Sequence, residues 1–143
     1  MDRTPRDGGH DGEERLERTT VLLVEDDAAT REVLAALLTC YGASVVSTDS
    51  VAGALRQLDA LQPSVLISDI GLPDDDGYAL IDRVRRREGR SLQHLPALAI
   101  SGYGGDVDER ARAAGFDAFL AKPVDTGALL QWLCALNASL VND

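Results

Sequence analysis

Aromatic residues are scarce in this chain: two Phe, three Tyr and one Trp make up 4% of 143 residues. A core must therefore be built from Leu, Val, Ala and Ile, within a hydrophobic content of 45%. Cysteine is limited to Cys40 and Cys134, whose separation matches no zinc or redox spacing, so both read as structural thiols in a reducing cytoplasm. The two histidines, His10 and His94, stand in no metal-binding or triad-like context. No apolar run approaches the length of a membrane span, and the N-terminus lacks the hydrophobic centre of a signal peptide. Positive charge is also short. Fourteen Lys and Arg face twenty-four Asp and Glu, and the net charge of −10 disfavours nucleic acid and anionic membranes as partners.

Residues 1–18 hold ten charged side chains and three glycines, with only Met1 and Leu16 as large apolar groups. Such a segment cannot bury enough to order itself, and it reads as a flexible charged tail before a single domain over residues 19–143. From Val21 onward, short apolar runs typical of strands covered on both faces fall at Val21–Val24, Ser44–Ser47, Val65–Ser68, Ala97–Ser101 and Ala118–Ala121. Helical spacing fills the gaps. Val33, Leu34, Leu37 and Leu38 mark a first helix that Gly42 ends, and Ala52, Leu55, Leu58 and Leu61 a second that Pro63 stops. Tyr78, Ile81 and Val84 line a third, with Arg83, Arg86 and Arg87 on its other side. Asp106 is expected to cap a fourth that Gly115 ends, and Leu129, Leu130, Leu133 and Leu136 define a fifth.

Five strands alternating with five helices imply a doubly wound α/β fold, a five-stranded parallel sheet of the flavodoxin-like (βα)5 type. The strand order expected for this element count is 2-1-3-4-5, with its crevice between strands 1 and 3. That order brings Glu25 and Asp26, which end strand 1, beside Asp69, which ends strand 3. Three carboxylates so placed repel one another unless a cation compensates. Oxygen ligands with open positions suit Mg2+. Asp69 and Asp26 are the expected direct ligands, with Glu25 binding directly or through water and the Gly71 backbone carbonyl completing the set. With its charge balanced, Asp69 can attack a phosphoryl group and form an acyl phosphate. Lys122, ending strand 5, and the Ser101 hydroxyl, ending strand 4, would neutralise the phosphoryl oxygens, and Gly102 leaves room for their approach. An aspartate-nucleophile phosphohydrolase combines the same groups, but such enzymes carry the nucleophile on the first strand in an Asp-x-Asp pair, and here it lies on the third.

The runs VLLVEDD, VLISDIGLPDDDGYAL, AISGYGG and FLAKPV resemble the receiver domain of two-component response regulators, over about Thr20 to Leu136. The resemblance implies that Asp69 is the phosphoacceptor, Glu25 and Asp26 the acid pair, and Lys122 the family's lysine. It places Ser101 as the switch hydroxyl and Phe119 as the switch aromatic, which together remodel the surface of helix 4, strand 5 and helix 5. Gly71 and Tyr103 occupy the places that influence acyl phosphate lifetime, and shielding by Tyr103 predicts slow self-dephosphorylation. The implied role is signalling, with catalysis confined to the chain's own phosphorylation and dephosphorylation. The implied partners are a histidine kinase or histidine phosphotransfer protein, an unidentified downstream protein and, through the helix 4–strand 5–helix 5 surface, a second copy. The stretch PALAISGYGG…AAGFDAFLAKPVD looks more like receivers fused to hybrid sensor kinases than like those of transcriptional regulators. Since the last helix comes close to the end of the chain, the sequence reads as a stand-alone receiver or one cut from a larger protein.

Overall fold

A computed structural model describes residues 16–87, 91–102 and 106–142, with side chains to residue 137. Five strands form one parallel sheet: β1 (Thr20–Val24), β2 (Ser44–Thr48), β3 (Val65–Asp69), β4 (Ala97–Ser101) and β5 (Ala118–Ala121). Their order is β2-β1-β3-β4-β5, as the element count predicts. The helices are α1 (Ala28–Cys40), α2 (Val51–Ala60), α3 (Gly77–Arg86), α4 (Val107–Ala114) and α5 (Thr126–Asn142), with a 3-10 turn at Ser91–His94 before β4.

Side chains alternate across the sheet and feed two cores. Leu22, Val24, Leu66, Ala97 and Ala99 meet Ala54 and Leu58 of α2, Leu80, Ile81 and Val84 of α3, and Ala111 of α4. Val21, Leu23, Ile67, Leu98 and Ile100 meet Leu34 and Leu38 of α1 and Leu129 and Leu133 of α5. A fully buried Leu or Ile contributes about 1.5–3 kcal/mol, so these two layers supply most of the drive to fold. With the side chains of β1, β3 and β4 buried almost throughout, the chemistry of these central strands is left to their ends.

Helix starts and stops follow local chemistry in most places. The Asp27 carboxylate caps α1 by accepting from Thr30 N–H, and Asp76 caps α3 by accepting from Ala79 N–H at 2.8 Å. Gly42 and Gly115 adopt φ of 99° and 128° just past α1 and α4, a region where glycine is favoured. Asp106 departs from expectation: it stands at the N-cap of α4 with φ −94° and ψ 20° and makes no side-chain cap bond.

Buried helix faces also differ from the spacing-based reading. In α1 only Leu34 and Leu38 are buried, while Val33 is 62% exposed. In α2 the buried face is Val51, Gly53, Ala54 and Leu58, and Ala52 is exposed. Leu16 lies within the expected tail, yet it is fully buried in the α1/α5 core, and its carbonyl accepts from Thr19 N–H at 3.0 Å. The packed body thus takes in residues 16–18, while residues 1–15 of that expected tail lie outside the described residues.

Candidate functional site

The β1–β3 pairing aligns Val24 with Ser68, so the next residues, Glu25 and Asp69, leave the sheet side by side. Asp69 itself pairs with Ile100, and Ser101 follows at the end of β4, fully buried. Ser101 pairs in turn with Ala121, and Lys122 comes one residue later. Four strand termini therefore deliver Glu25, Asp69, Ser101 and Lys122 to one edge of the sheet. That edge contains the switch point between β1 and β3, where doubly wound sheets hold their ligands.

Lys122 sets the electrostatics. Its ammonium donates to Asp69 Oδ2 at 2.8 Å and lies 2.7 Å from Glu25 Oε1. Glu25 is fully buried and Asp69 is 6% exposed. Glu25 Oε2 accepts the Asp27 N–H at 3.0 Å, and Asp69 Oδ1 accepts the Gly71 N–H at 3.1 Å. Burial pushes the Glu25 carboxyl up, with the Asp69 charge adding to the rise. The Lys122 ammonium and the Asp27 amide oppose it without cancelling it. Burial pulls the Lys122 ammonium down, but its bonds to Asp69 and Glu25 outweigh that and leave it raised.

Oxygens of Glu25, Asp26 and Asp69 all lie within 4.8 Å of one another, with Asp26 on the exposed side. Glu25 Oε1 is buried, and its contact is the Lys122 ammonium at 2.7 Å. An all-oxygen set of two buried carboxylates and one open to water fits a hard divalent cation such as Mg2+. The Gly71 backbone borders this set through its bond to Asp69. Gly102 is exposed, and a methyl group there would meet nothing within 4 Å. Phe119, paired with Ala99, is half-buried against the α2–α4 core. Tyr103 lies outside the described residues. An open groove of about 330 Å3 runs from Lys122 along Ala29, Val33, Pro123 and Val124, between α1 and the start of α5.

Two residues shape this edge without having been singled out from sequence. A Cβ on Gly77 would sit 2.6 Å from the Asp69 carbonyl oxygen and 2.9 Å from Ile70 Cα, so α3 can start this close to β3 only with glycine. The Asp76-Gly77 pair before a helix was the available signal. Asp74 reaches back to the first turn of α2, and no local pattern announces a partner more than twenty residues upstream. Among the described residues, no helix is long and apolar enough to cross a membrane.

The fold and its acidic edge define a doubly wound α/β domain with a cluster of three carboxylates at the switch point. The chain belongs to the response regulator receiver domain family, whose model matches residues 21–133. It is 40% identical over 111 residues to the response regulator protein FleR of Pseudomonas aeruginosa, covering 77% of this chain and 23% of FleR. It is 37% identical over 117 residues to a 14.6 kDa protein of the sodA1 3′ region in Leptolyngbya boryana, covering 81% of this chain and 88% of that one. Among solved structures it is similar to the receiver domain of a histidine kinase from Syntrophus aciditrophicus. That match has a TM-score of 0.76 and 26% identity, and covers 85% and 91% of the two chains. A CheY-like receiver domain from Methylobacillus flagellatus gives 0.72 and 29%, covering 82% and 98%. Receivers are signalling domains, and the curated relatives differ widely in length, this chain spanning 48% of KdpE from Escherichia coli against 88% of the Leptolyngbya protein.

Proposed function

We propose that this receiver accepts a phosphoryl group on Asp69 from a phosphohistidine donor and passes the event on as a change of surface. The observation that carries the reading is the convergence of Asp69, Glu25 and Lys122 within 2.8 Å contacts at one edge of the sheet. An Asp69 carboxylate oxygen attacks phosphorus as the P–N bond breaks, and the leaving imidazole keeps the electron pair and takes a proton. Lys122, already bonded to Oδ2, is placed to neutralise a phosphoryl oxygen, and Ser101 offers a hydroxyl one strand away. Glu25, Asp26, Asp69 and the Gly71 carbonyl would hold Mg2+, which supplies charge neutralisation at the phosphoryl oxygens.

In this reading Ser101 and Phe119 are the switch pair on β4 and β5, and Gly71 and Tyr103 set the lifetime of the acyl phosphate. The donor is a histidine kinase or phosphotransfer protein that meets the chain along the groove beside Lys122, and a downstream protein reads the α4–β5–α5 surface in the cytoplasm. The receiver domain itself covers residues 19–143 together with the packed residues 16–18. A phosphohydrolase reading loses ground because the nucleophile ends β3 and the acid pair ends β1. The test is intact mass after incubation with magnesium and acetyl phosphate. One added phosphoryl group, absent from Asp69→Asn and removed by hydroxylamine, is expected. Addition that persists in Asp69→Asn would refute the assignment.

A further inference from the structure

Asp74 uses both of its carboxylate oxygens on another element, and the chemistry proposed above gives it no part. Oδ1 accepts from Val51 N–H and Oδ2 from Ala52 N–H, each at 2.9 Å. By local rules α2 already has its cap, since Ser50 Oγ accepts from Gly53 N–H at 3.0 Å. The second cap is charge-assisted and comes from the β3–α3 loop, five residues after Asp69.

These bonds close a circuit around the acid cluster. Glu25 N–H donates to the Thr48 carbonyl at 3.0 Å, tying the end of β1 to the end of β2. Thr48 leads through Ser50 into the first turn of α2, and Asp74 ties that turn to the loop that starts at Asp69. The ring closes where β1 and β3 pair beside Glu25 and Asp69. Among the described residues, the loop's other hydrogen bonds run to itself, to its own strand and helix, or to β4: Gly71 N–H to Asp69 Oδ1, Gly77 N–H to the Ile70 carbonyl, Asp76 to Ala79 N–H, and Ile70 N–H to the Ile100 carbonyl. Among the hydrogen bonds of the described residues, those of Asp74 tie it to the side of the site from which Glu25 and Asp26 come.

We infer that Asp74 is a positioning residue for the cation site, holding the Asp69 loop at a fixed separation from the β1 acid pair through the first turn of α2. The inference rests on the proposed cation role of Glu25, Asp26 and Asp69. Asp74 touches neither the cation nor the phosphoryl group, so its loss acts on the preorganisation of the ligands, as outer groups of metal sites do.

Calorimetric titration with magnesium chloride alone, without a phosphoryl donor, tests it on wild type, Asp74→Ala, Asp74→Asn and Ser50→Ala. Ser50→Ala removes the local cap of the same helix and leaves the Asp74 tie in place, so it controls for helix stability. Asp74→Ala is expected to raise the magnesium Kd about threefold to tenfold, below the loss typical of groups bonded directly to ligands. Asp74→Asn, nearly isosteric and keeping one acceptor oxygen, should fall between it and wild type. Ser50→Ala should stay within about twofold of wild type, although both alanine variants speed amide exchange in the first turn of α2. A Kd for both Asp74 variants equal to wild type overturns the inference and leaves the receiver reading intact, as does an equal loss in Ser50→Ala. A wild type that binds no magnesium removes the cation site and the inference with it.

Discussion

Replacing Gly77 with alanine adds one methyl group at the tightest approach between a helix and the acceptor strand. The new Cβ would lie 2.6 Å from the Asp69 carbonyl oxygen and 2.9 Å from Ile70 Cα, both backbone atoms that cannot swing aside. Reaching the 3.4 Å where ordinary contact begins needs a shift of about 0.8 Å against the oxygen. The Gly77 N–H bond to the Ile70 carbonyl at 2.7 Å and the Asp76 cap oppose that shift. Gly77 has no positive φ, so backbone conformation adds no cost, and alanine recovers up to about 1 kcal/mol of helix propensity. Overpacking of this kind costs about 1–3 kcal/mol, and the expected net loss is about 1–2 kcal/mol. Urea denaturation followed by far-UV circular dichroism reads it. The displaced Asp69 should also take up phosphoryl from acetyl phosphate more slowly, even where the variant is fully folded. A Gly77→Ala protein as stable as wild type and equally reactive would refute the reasoning.

Lys122→Ala leaves the buried Glu25 and the nearly buried Asp69 without their cation. Removing one partner of such a buried ion pair costs about 3–5 kcal/mol, a loss expected in chelator and partly recovered by magnesium; unchanged stability in chelator would contradict it. Arg85→Ala removes guanidinium bonds to the carbonyls of Leu92 (3.0 Å), Leu95 (2.6 Å) and Gly115 (2.7 Å), which join α3, the 3-10 turn and the loop before β5. A loss of about 2–4 kcal/mol should appear in urea titration, and Arg85→Lys should restore little of it because lysine lacks the planar fork. The bonds from Ala52 and Val51 hold the Asp74 carboxyl below its ordinary 3.8, so its contribution is present above that value and fades as pH falls through the depressed one. The melting-temperature gap between wild type and Asp74→Ala should therefore stay constant above about pH 5 and close in more acidic solution, and a gap that widens there would reverse the sign.

Strand positions and the acidic edge were legible in sequence because both are local. Val65–Ser68 is apolar on both faces and ends in Asp69, and the strand order then followed from the element count, bringing Glu25 to Asp69. Helix faces were less legible, since a periodic pattern shows that a stripe exists but not which neighbours it meets. Val33 belongs to an apolar run yet faces outward, and Asp106 has the chemistry of a cap in a backbone conformation that leaves it unused. Arg85 was hidden among the arginines of one run, although its partners at Leu92, Leu95 and Gly115 make it structural. What local pattern could not reveal was long-range pairing, of which the Asp74 tie to α2 is the clearest case.

Lys122 reaches from the end of β5 past β4 to acids on β3 and β1. A free ion comes and goes with its concentration, whereas an ammonium on a four-carbon stem is always at hand. The acid cluster therefore never stands as a bare negative pocket, because the chain carries its own stand-in for the ion. On the proposed reading, a divalent cation would join a cluster that already has a counter-charge, so folding would not wait on it. Such a cation would add stability by mass action to a fold that Lys122 already holds together.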